Sequence, residues 1–535
     1  MARDEANAEY ALLEEEEEEE GLRHEISAFL KLVWPVALTS IIEFVPSLVS
    51  VAVVGRFCDR NALDGAALGT MYFNIAALSI GLGLTTAMDT LAPQAVGAGK
   101  NKLLGVYVQR GGLVLGVLLV PIACAGTFAG SILRGLGQPP EVAHRAGEYV
   151  RWSLPSLPCF WAFELVRKVF HAFGIVRPLV WIGVASTLSH CVLAYALVAT
   201  DWFVADLGFA GAAVARSCSM FVALASLCAY SAFSGLSEKW WPGVVPLSIL
   251  TRDVATFLRL GGAGCAAICF EWWAFEMLAL FAGLLPKRPD VYIGAHAVLF
   301  NLAALFYMGL SGCAAAASVR TGLALGAGDA PRAKRAVAVS LAFALFVGAA
   351  NAVALFACRD VLPGLFARDN AIRHAAMIAM PALSVYQVFD AWNAVSGGVM
   401  RGAGRQETPA FIMLAAYYIF GIPAALVLAF ARDYRLVGLW LGLTFGLVIA
   451  SVMLGYGLLT LDWPTLVIEA RERADAHARR ISSDDDHADR LGRDTVVSTG
   501  VSLPDFDDDG DDHDNDLHHH NRKLDDFDEE DIAVC

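Results

Sequence analysis

The sequence is short of charge: Asp, Glu, Lys and Arg make up only 17% of its 535 residues, against 57% hydrophobic, and mean hydropathy is +0.54. Soluble globular chains carry about 25% charged residues, so a soluble enzyme is excluded at the outset. The charge that exists is concentrated at the ends. Met1–Glu25 holds 11 acidic against 2 basic residues and Thr465–Cys535 holds 22 against 8, so the net charge of −15 divides into −23 for the ends and +8 for residues 26–464. This distribution gives no basic footprint for nucleic acid, and no nucleic-acid partner is expected. The first apolar run lacks a basic leader; the acidic run Glu14–Glu20 precedes it, and a cleaved signal peptide is not expected. There is no CxxC among the eleven cysteines, whose closest pair is Cys265 and Cys269. They read as small apolar packing groups, with no metal site and no cofactor. Motifs for other energy sources are also missing. Gly97-Ala98-Gly99-Lys100-Asn101 has Gln94 where a phosphate-binding loop needs Gly and no Ser or Thr after its Lys. No HExxH, no arginine at every third position and no TVGYG occurs, which sets aside a zinc protease, a voltage sensor and a potassium filter.

What the chain does have is apolar length. A helix needs about 20 apolar residues to cross a hydrocarbon core, and the middle breaks into twelve such stretches. Six are 29–54, 66–88, 112–133, 147–169, 179–199 and 209–233; six more are 255–285, 293–317, 336–358, 375–400, 410–431 and 436–461. The expected organisation is an acidic disordered tail 1–25, a six-helix lobe 26–233, a linker 234–253, a second six-helix lobe 254–464 and an acidic disordered tail 465–535. In the linker, Trp240-Trp241-Pro242 suits a membrane interface. In the last segment, Asp484–Asp486, Asp507–Asp509 and His518–His520 occur with almost no apolar periodicity, so it cannot offset its ordering entropy. An even number of spans puts both termini on one side, and the excess of Lys and Arg on that side predicts cytoplasmic termini. The halves echo each other: Gly97-Ala98-Gly99 returns as Gly326-Ala327-Gly328, and a proline precedes both the fifth span (Pro178) and the eleventh (Pro409). Six spans per repeat preserve orientation, which predicts an all-α polytopic protein of two parallel-repeat lobes around a central cavity.

Ionisable residues inside spans narrow the function, because each costs about 3 kcal/mol or more at mid-bilayer on insertion scales. Glu43, Glu271, Glu276 and Asp390 are so placed. Glu271 and Glu276 share a helix but lie about 140° apart around it. Glu271 has no basic residue within four positions, and desolvation disfavours its charged form, which makes it a proton-carrier candidate. His190 and His296 are possible relays. Asp89, Glu148 and Glu164 sit near span ends, where local roles are expected, with Arg167 and Lys168 as partners for Glu164. Pro35 and Pro46, and Pro155 and Pro158, favour kinks in the first and fourth spans. Secondary transport fits these features; a membrane receptor or scaffold is the alternative.

Several strings then resemble one family, the multidrug and toxic compound extrusion (MATE) transporters of the eukaryotic branch. They are Met88-Asp89-Thr90-Leu91 with Gln94 and Gly97-Ala98-Gly99, then Gln109-Arg110, and then Cys269-Phe270-Glu271-Trp272-Trp273-Ala274-Phe275-Glu276. Further on come Ala317-Ser318-Val319-Arg320, Leu325-Gly326-Ala327-Gly328, and Ser396-Gly397-Gly398-Val399-Met400-Arg401-Gly402. The resemblance covers nearly all of 26–464. It implies a two-lobed, twelve-span antiporter, not an enzyme, that exports organic compounds against protons or, in some members, sodium. It raises Glu271, Glu276 and Asp390 together as coupling or substrate residues. Asn301 and Asp390 stand where animal-type members carry Glu, as in plant-type members, so one acid of the animal pattern is missing; Glu43 matches no family acid. Aromatic residues near the acids (Trp272, Trp273, Trp392, Phe389 and Tyr307) can stack on a flat or cationic guest, and Asn301, Asn393 and Gln387 can orient a polar group. Scarce mid-span bases favour organic cations as substrate, with organic anions the alternative. The expected partners are a small organic solute, protons or Na+, and the lipid of a plasma or vacuolar membrane, with the protein itself a monomer.

Overall fold

The computed structural model describes residues 2–200 and 207–479, with side chains described from Glu20 onward. Twelve long helices, some of them interrupted, follow one another: α1 (Ala2–Phe57), α2 (Arg60–Gly97), α3 (Leu103–Thr127), α4 (Pro140–Ser153 continued by Ser156–Ala172), α5 (Arg177–Ala199) and α6 (Ala210–Phe233). After a linker come α7 (Val254–Gly283), α8 (Pro289–Ala327), α9 (Ala330–Ala357), α10 (Asn370–Gly402), α11 (Glu407–Ala431) and α12 (Arg435–Leu459). A further helix, α13, covers 463–479. No strand occurs among the described residues. Ten of these helices are long and apolar enough to cross a membrane. The other two are α10 and α4, which is split where Pro155 withholds a donor.

Local chemistry sets the helix ends. Asp59, Asp329 and Asp369 accept from the backbone N–H groups of Ala62, Arg332 (2.8 Å) and Ala371 (2.7 Å), capping α2, α9 and α10. Gly328 closes α8 at φ +85°, a conformation that costs glycine nothing. Pro35 and Pro46 lie within α1, which runs through both without a break, whereas α2 contains a π-turn at Asn74–Leu78 and an interruption at Thr86. Close approach between helices relies on small residues, as expected where lipid supplies no hydrophobic drive between helices. A Cβ added at Gly398 or Gly402 of α10 would collide with the backbone of Ala314 or Ser318 in α8, and one at Gly442 of α12 with Ala425 in α11.

Three expectations are corrected at the edges. The helix assigned to α1 reaches back into the segment read as a tail, and Glu25 is buried because Arg320 grips it with two bonds of 2.6 and 2.7 Å. Residues 463–479 form an amphipathic helix, with Leu466 and Ala470 packed against Ala324, Leu325, Ala333 and Ala403; the aspartate and histidine runs beyond lie outside the described residues. In the linker, Trp240 is buried and donates to Ser231 (3.3 Å), so only Trp241 is left at the surface. Gln109 and Arg110 of α3 bind that linker through Gly243, Val245 and Leu250.

Candidate functional site

In the second half, α7, α8, α10 and α11 gather polar side chains into an apolar surround that includes Leu383, Tyr386, Tyr417 and Trp440. Glu271 of α7 acts electrostatically on Asp390 of α10, and Arg401, three turns along α10, acts on Glu271. Eleven residues at 100° each return to within about 20° of the starting face, so Asp390 and Arg401 lie on one side of α10. Tyr307, Tyr386 and Tyr417 feel both carboxyls. Gln387 is fully buried with neither end of its amide partnered, and the hydroxyl of Ser396 is also unpartnered. Buried polar atoms are normally satisfied; here they mark a cluster able to receive a proton, water or a polar group.

The other residues singled out from sequence do not all join this cluster. Glu276 is half-buried on α7 and forms no ion pair among the described residues, and Trp273 is exposed. Asn301 turns back to the carbonyl of Ala297 (2.8 Å). Asn393 and Trp392 serve packing: the Asn393 amide donates to Phe389, Leu447 and Ser451, and Trp392 donates to the Ser451 carbonyl (3.2 Å). His296 is a buried packing group beside Trp440, with ring centroids 5.7 Å apart. His190 meets Ser50 at 2.9 Å. Trp272 and Phe389 are partly buried, and Phe389 lies against the second-half core. Glu43 is not a lone acid: Arg167 binds it at 2.9 Å and Glu164 at 2.6 Å. Lys168, expected near Glu164, instead pairs with Asp89 at 2.7 Å.

Asp89 has more than the local role expected of it. Its second carboxylate oxygen faces Arg401 at 3.2 Å, tying α2 of the first half to α10 of the second. Around this pair, Ser318 donates to the Asp89 carbonyl (2.9 Å), Gln94 to the Gly402 carbonyl (2.9 Å), Gln406 to the Thr86 carbonyl (3.0 Å) and the Thr90 hydroxyl (2.8 Å), and Thr90 to the Arg401 carbonyl. One turn below, the echoing Gly-Ala-Gly motifs meet: a Cβ at Gly97 would strike the Leu323 carbonyl, and one at Gly326 the Gln94 carbonyl. Helix α13 lies over the seam, with Arg473 on Gln94, Asp475 on Lys100, His477 on Tyr107 (3.0 Å), Glu469 on Arg405 (2.8 Å) and Arg471 on the Ala327 carbonyl. The halves are therefore sealed together near the loops that follow α2, α8 and α10. This seal was not read from the sequence, although the paired glycine motifs were the available signal. Arg216, alone in the apolar run of α6, also escaped notice. No cluster of three or more potential metal ligands occurs among the described residues.

With this geometry in hand, the chain was compared with known proteins. The MatE family model matches residues 35–196 and again 265–427, the second match beginning 230 residues after the first, within one residue of the 229-residue displacement of the glycine echo. Protein DETOXIFICATION 14 of Arabidopsis thaliana is 32% identical over 464 residues, covering 86% of this chain and 93% of that protein. Human multidrug and toxin extrusion protein 1 is 33% identical over 461 residues, 86% of this chain and 78% of that protein. The crystal structure of the eukaryotic MATE transporter AtDTX14 superposes with a TM-score of 0.80 at 31% identity, covering 85% of this chain and 100% of the other. The chain belongs to the MATE family of multidrug and toxin extrusion transporters, multi-pass helical membrane proteins.

Proposed function

We propose that this protein exports organic solutes in exchange for protons, with Glu271 and Asp390 as the groups that load and release the proton. The observation that carries the reading is that two carboxyls from different helices, Glu271 and Asp390, lie within electrostatic range of each other in one largely buried polar cluster. Two carboxylates within reach of each other repel when both are charged. A bound proton and a cationic guest are alternative ways of removing that repulsion, so each loosens the other. Protons arriving from the acidic side then displace substrate, and Tyr307 and Gln387 are placed to exchange hydrogen bonds with whichever occupies the cluster.

The seal around Asp89, Gln94 and Arg401 lies on the side of the termini, and on this reading that side, with its excess of basic loop residues, faces the cytoplasm. Alternating access requires the seal to part. Arg401 belongs to both regions, facing Asp89 in the seal and acting on Glu271 in the cluster. The plasma membrane and a vacuolar membrane suit the spans equally.

The test is substrate-driven proton movement in proteoliposomes, with a cationic dye and an organic acid screened in parallel, wild type beside Glu271→Gln and Asp390→Asn. Proton flux in the wild type and none in equally well inserted variants is the expected result. Substrate accumulation independent of a proton gradient overturns proton coupling, and a dependence on a sodium gradient replaces the proton with Na+. A receptor or scaffold would keep its behaviour in both variants.

A further inference from the structure

Helix α13 crosses from one half to the other, and its two ends are held by different chemistry. Leu466, Ala470, Ala474 and His477 follow at intervals of three or four residues, so they share a face, and all four are buried. The first two pack on the second half, against Ala324 and Leu325 at the end of α8, Ala333 of α9 and Ala403 after α10. Polar contacts to the same half flank them: Glu469 accepts from Arg405 at 2.8 Å, and Arg471 donates to the Ala327 carbonyl. Two residues on, Arg473 stands in the seam itself. Its guanidinium lies over Gly404 of the second half, where an added Cβ would come within 3.0 Å of it, and donates to the side-chain oxygen of Gln94 in the first. From there the partners belong to the first half and to the linker bound to it. Asp475 takes Lys100, and His477 lies between the Tyr107 hydroxyl (3.0 Å) and Asp253 (3.5 Å), a carboxylate that Arg110 also faces (3.7 Å).

The Gln94 amide ties this crossing to the seal. Its nitrogen donates to the Gly402 carbonyl across the seam while its oxygen accepts from Arg473. Both ends are therefore held by protein groups only while the halves are together and α13 is docked. Parting of the halves must break one set of α13 contacts. The buried apolar set loses most by exposure to water, whereas hydrogen bonds and a partly exposed ion pair such as Lys100–Asp475 exchange with water at small net cost.

We propose that α13 is a clasp: a fixture of the second half whose C-terminal turns grip the first half in the sealed state and let go when that side opens. The inference rests on the reading that the seal parts during transport, and it holds whichever ion is coupled. Arg473, Asp475 and His477 then position the halves without touching the transported solute, and the terminal helix restrains the opening of the side on which it lies.

The test is distance measurement between spin labels on the full chain in phosphatidylcholine nanodiscs, with the native cysteines replaced and neither solute nor ion gradient present. One label is at Ile468, exposed on α13; its partner is at Lys102, across the seam, or at Pro331, within the second half. Lys100→Glu sets a carboxylate against Asp475 and leaves α13 unaltered. The population at a longer Ile468–Lys102 distance should rise about fivefold, the order expected when one partly exposed ion pair becomes a repulsion, while the Ile468–Pro331 distance keeps its wild-type value. Exchanging the charges, Lys100→Glu with Asp475→Lys, should restore the wild-type distribution. The combined Arg473→Gln, Asp475→Asn and His477→Gln variant should open the seam further with α13 still at its second-half distance. A wild-type Ile468–Lys102 distribution in both Lys100→Glu and the combined variant means that α13 does not restrain the seam, and a lengthened Ile468–Pro331 distance means that it is not seated on the second half; either result overturns the proposal. Because the readout needs neither solute nor gradient, sodium coupling or gradient-independent accumulation in the proteoliposome test leaves it untouched.

Discussion

The crossing of α2 and α8 offers the sharpest test of how the halves hold together. Gly326→Ala adds one methyl group where only the Gln94 carbonyl lies, and backbone on both sides leaves no flexible atom to yield. The helices must separate, which carries an overpacking penalty of about 1–3 kcal/mol. The separation also stretches the Gln94-to-Gly402 and Ser318-to-Asp89 bonds, both 2.9 Å, at about 1 kcal/mol where one is lost. A destabilisation of about 2–4 kcal/mol of the sealed state alone lowers the closed-to-open ratio roughly 30-fold to 700-fold. The assay is a distance measurement between spin labels at Lys102, on the loop following α2, and Pro331, in the first turn of α9, with the native cysteines replaced. Wild type should give one short distance, and Gly326→Ala should add a longer one that dominates. Gly116→Ala is the control, since a Cβ there meets nothing within 4 Å. If both variants give the wild-type distribution, the glycine crossing does not hold the seal.

Four further outcomes follow from the same geometry. Asp89→Asn leaves Lys168 and Arg401 facing a neutral amide and should lower the thermal midpoint by several degrees, about 2 kcal/mol of stability, while raising the longer spin-label distance. Glu25→Gln unpairs Arg320 and should cost about 3 kcal/mol, read as a loss of thermal stability that Lys31→Gln, on the same helix, does not reproduce. Truncation before 463 removes the α13 contacts to Gln94, Lys100, Tyr107 and Arg405 and should lower the thermal midpoint measurably. Lys100 holds the Asp475 carboxyl below the usual carboxylate range. Whatever this pair contributes is therefore complete above the unfolded carboxylate value of about 3.9 and lost as pH falls through the lower folded value; Asp475→Asn should remove that acid-side dependence of the midpoint.

Much of this architecture was legible because a bilayer imposes length: each apolar run had to become a helix, and the twelve stretches correspond to α1–α12. Glu271 and Asp390 were legible for the same reason, since a carboxyl amid apolar residues has few structural excuses. What the sequence hid were relations between distant segments. Nothing near Asp89 in the chain announces Arg401, and the Glu43–Arg167 pair joins helices 124 residues apart. The order of 463–479 was hidden by composition: Leu466 and Ala470 are too few to signal a core, yet they suffice because α8, α9 and α10 present matching apolar surface. Arg216 was overlooked because a single base in an apolar run reads as an interruption.

Taken together, the halves share packing but not charge. The repeated glycine motifs meet across the seam as equivalents, each accepting the other helix where a side chain would not fit. The ionisable groups have diverged in their partners: in the first half Glu43 and Glu164 are bound directly by Arg167, whereas in the second half Glu271 lies in the field of Arg401, whose guanidinium faces Asp89. A symmetric frame whose less directly paired carboxyls lie in the second half suits a transporter that loads its proton there. Coupling to the first half then runs through the element common to both, the Asp89–Arg401 contact at the seam.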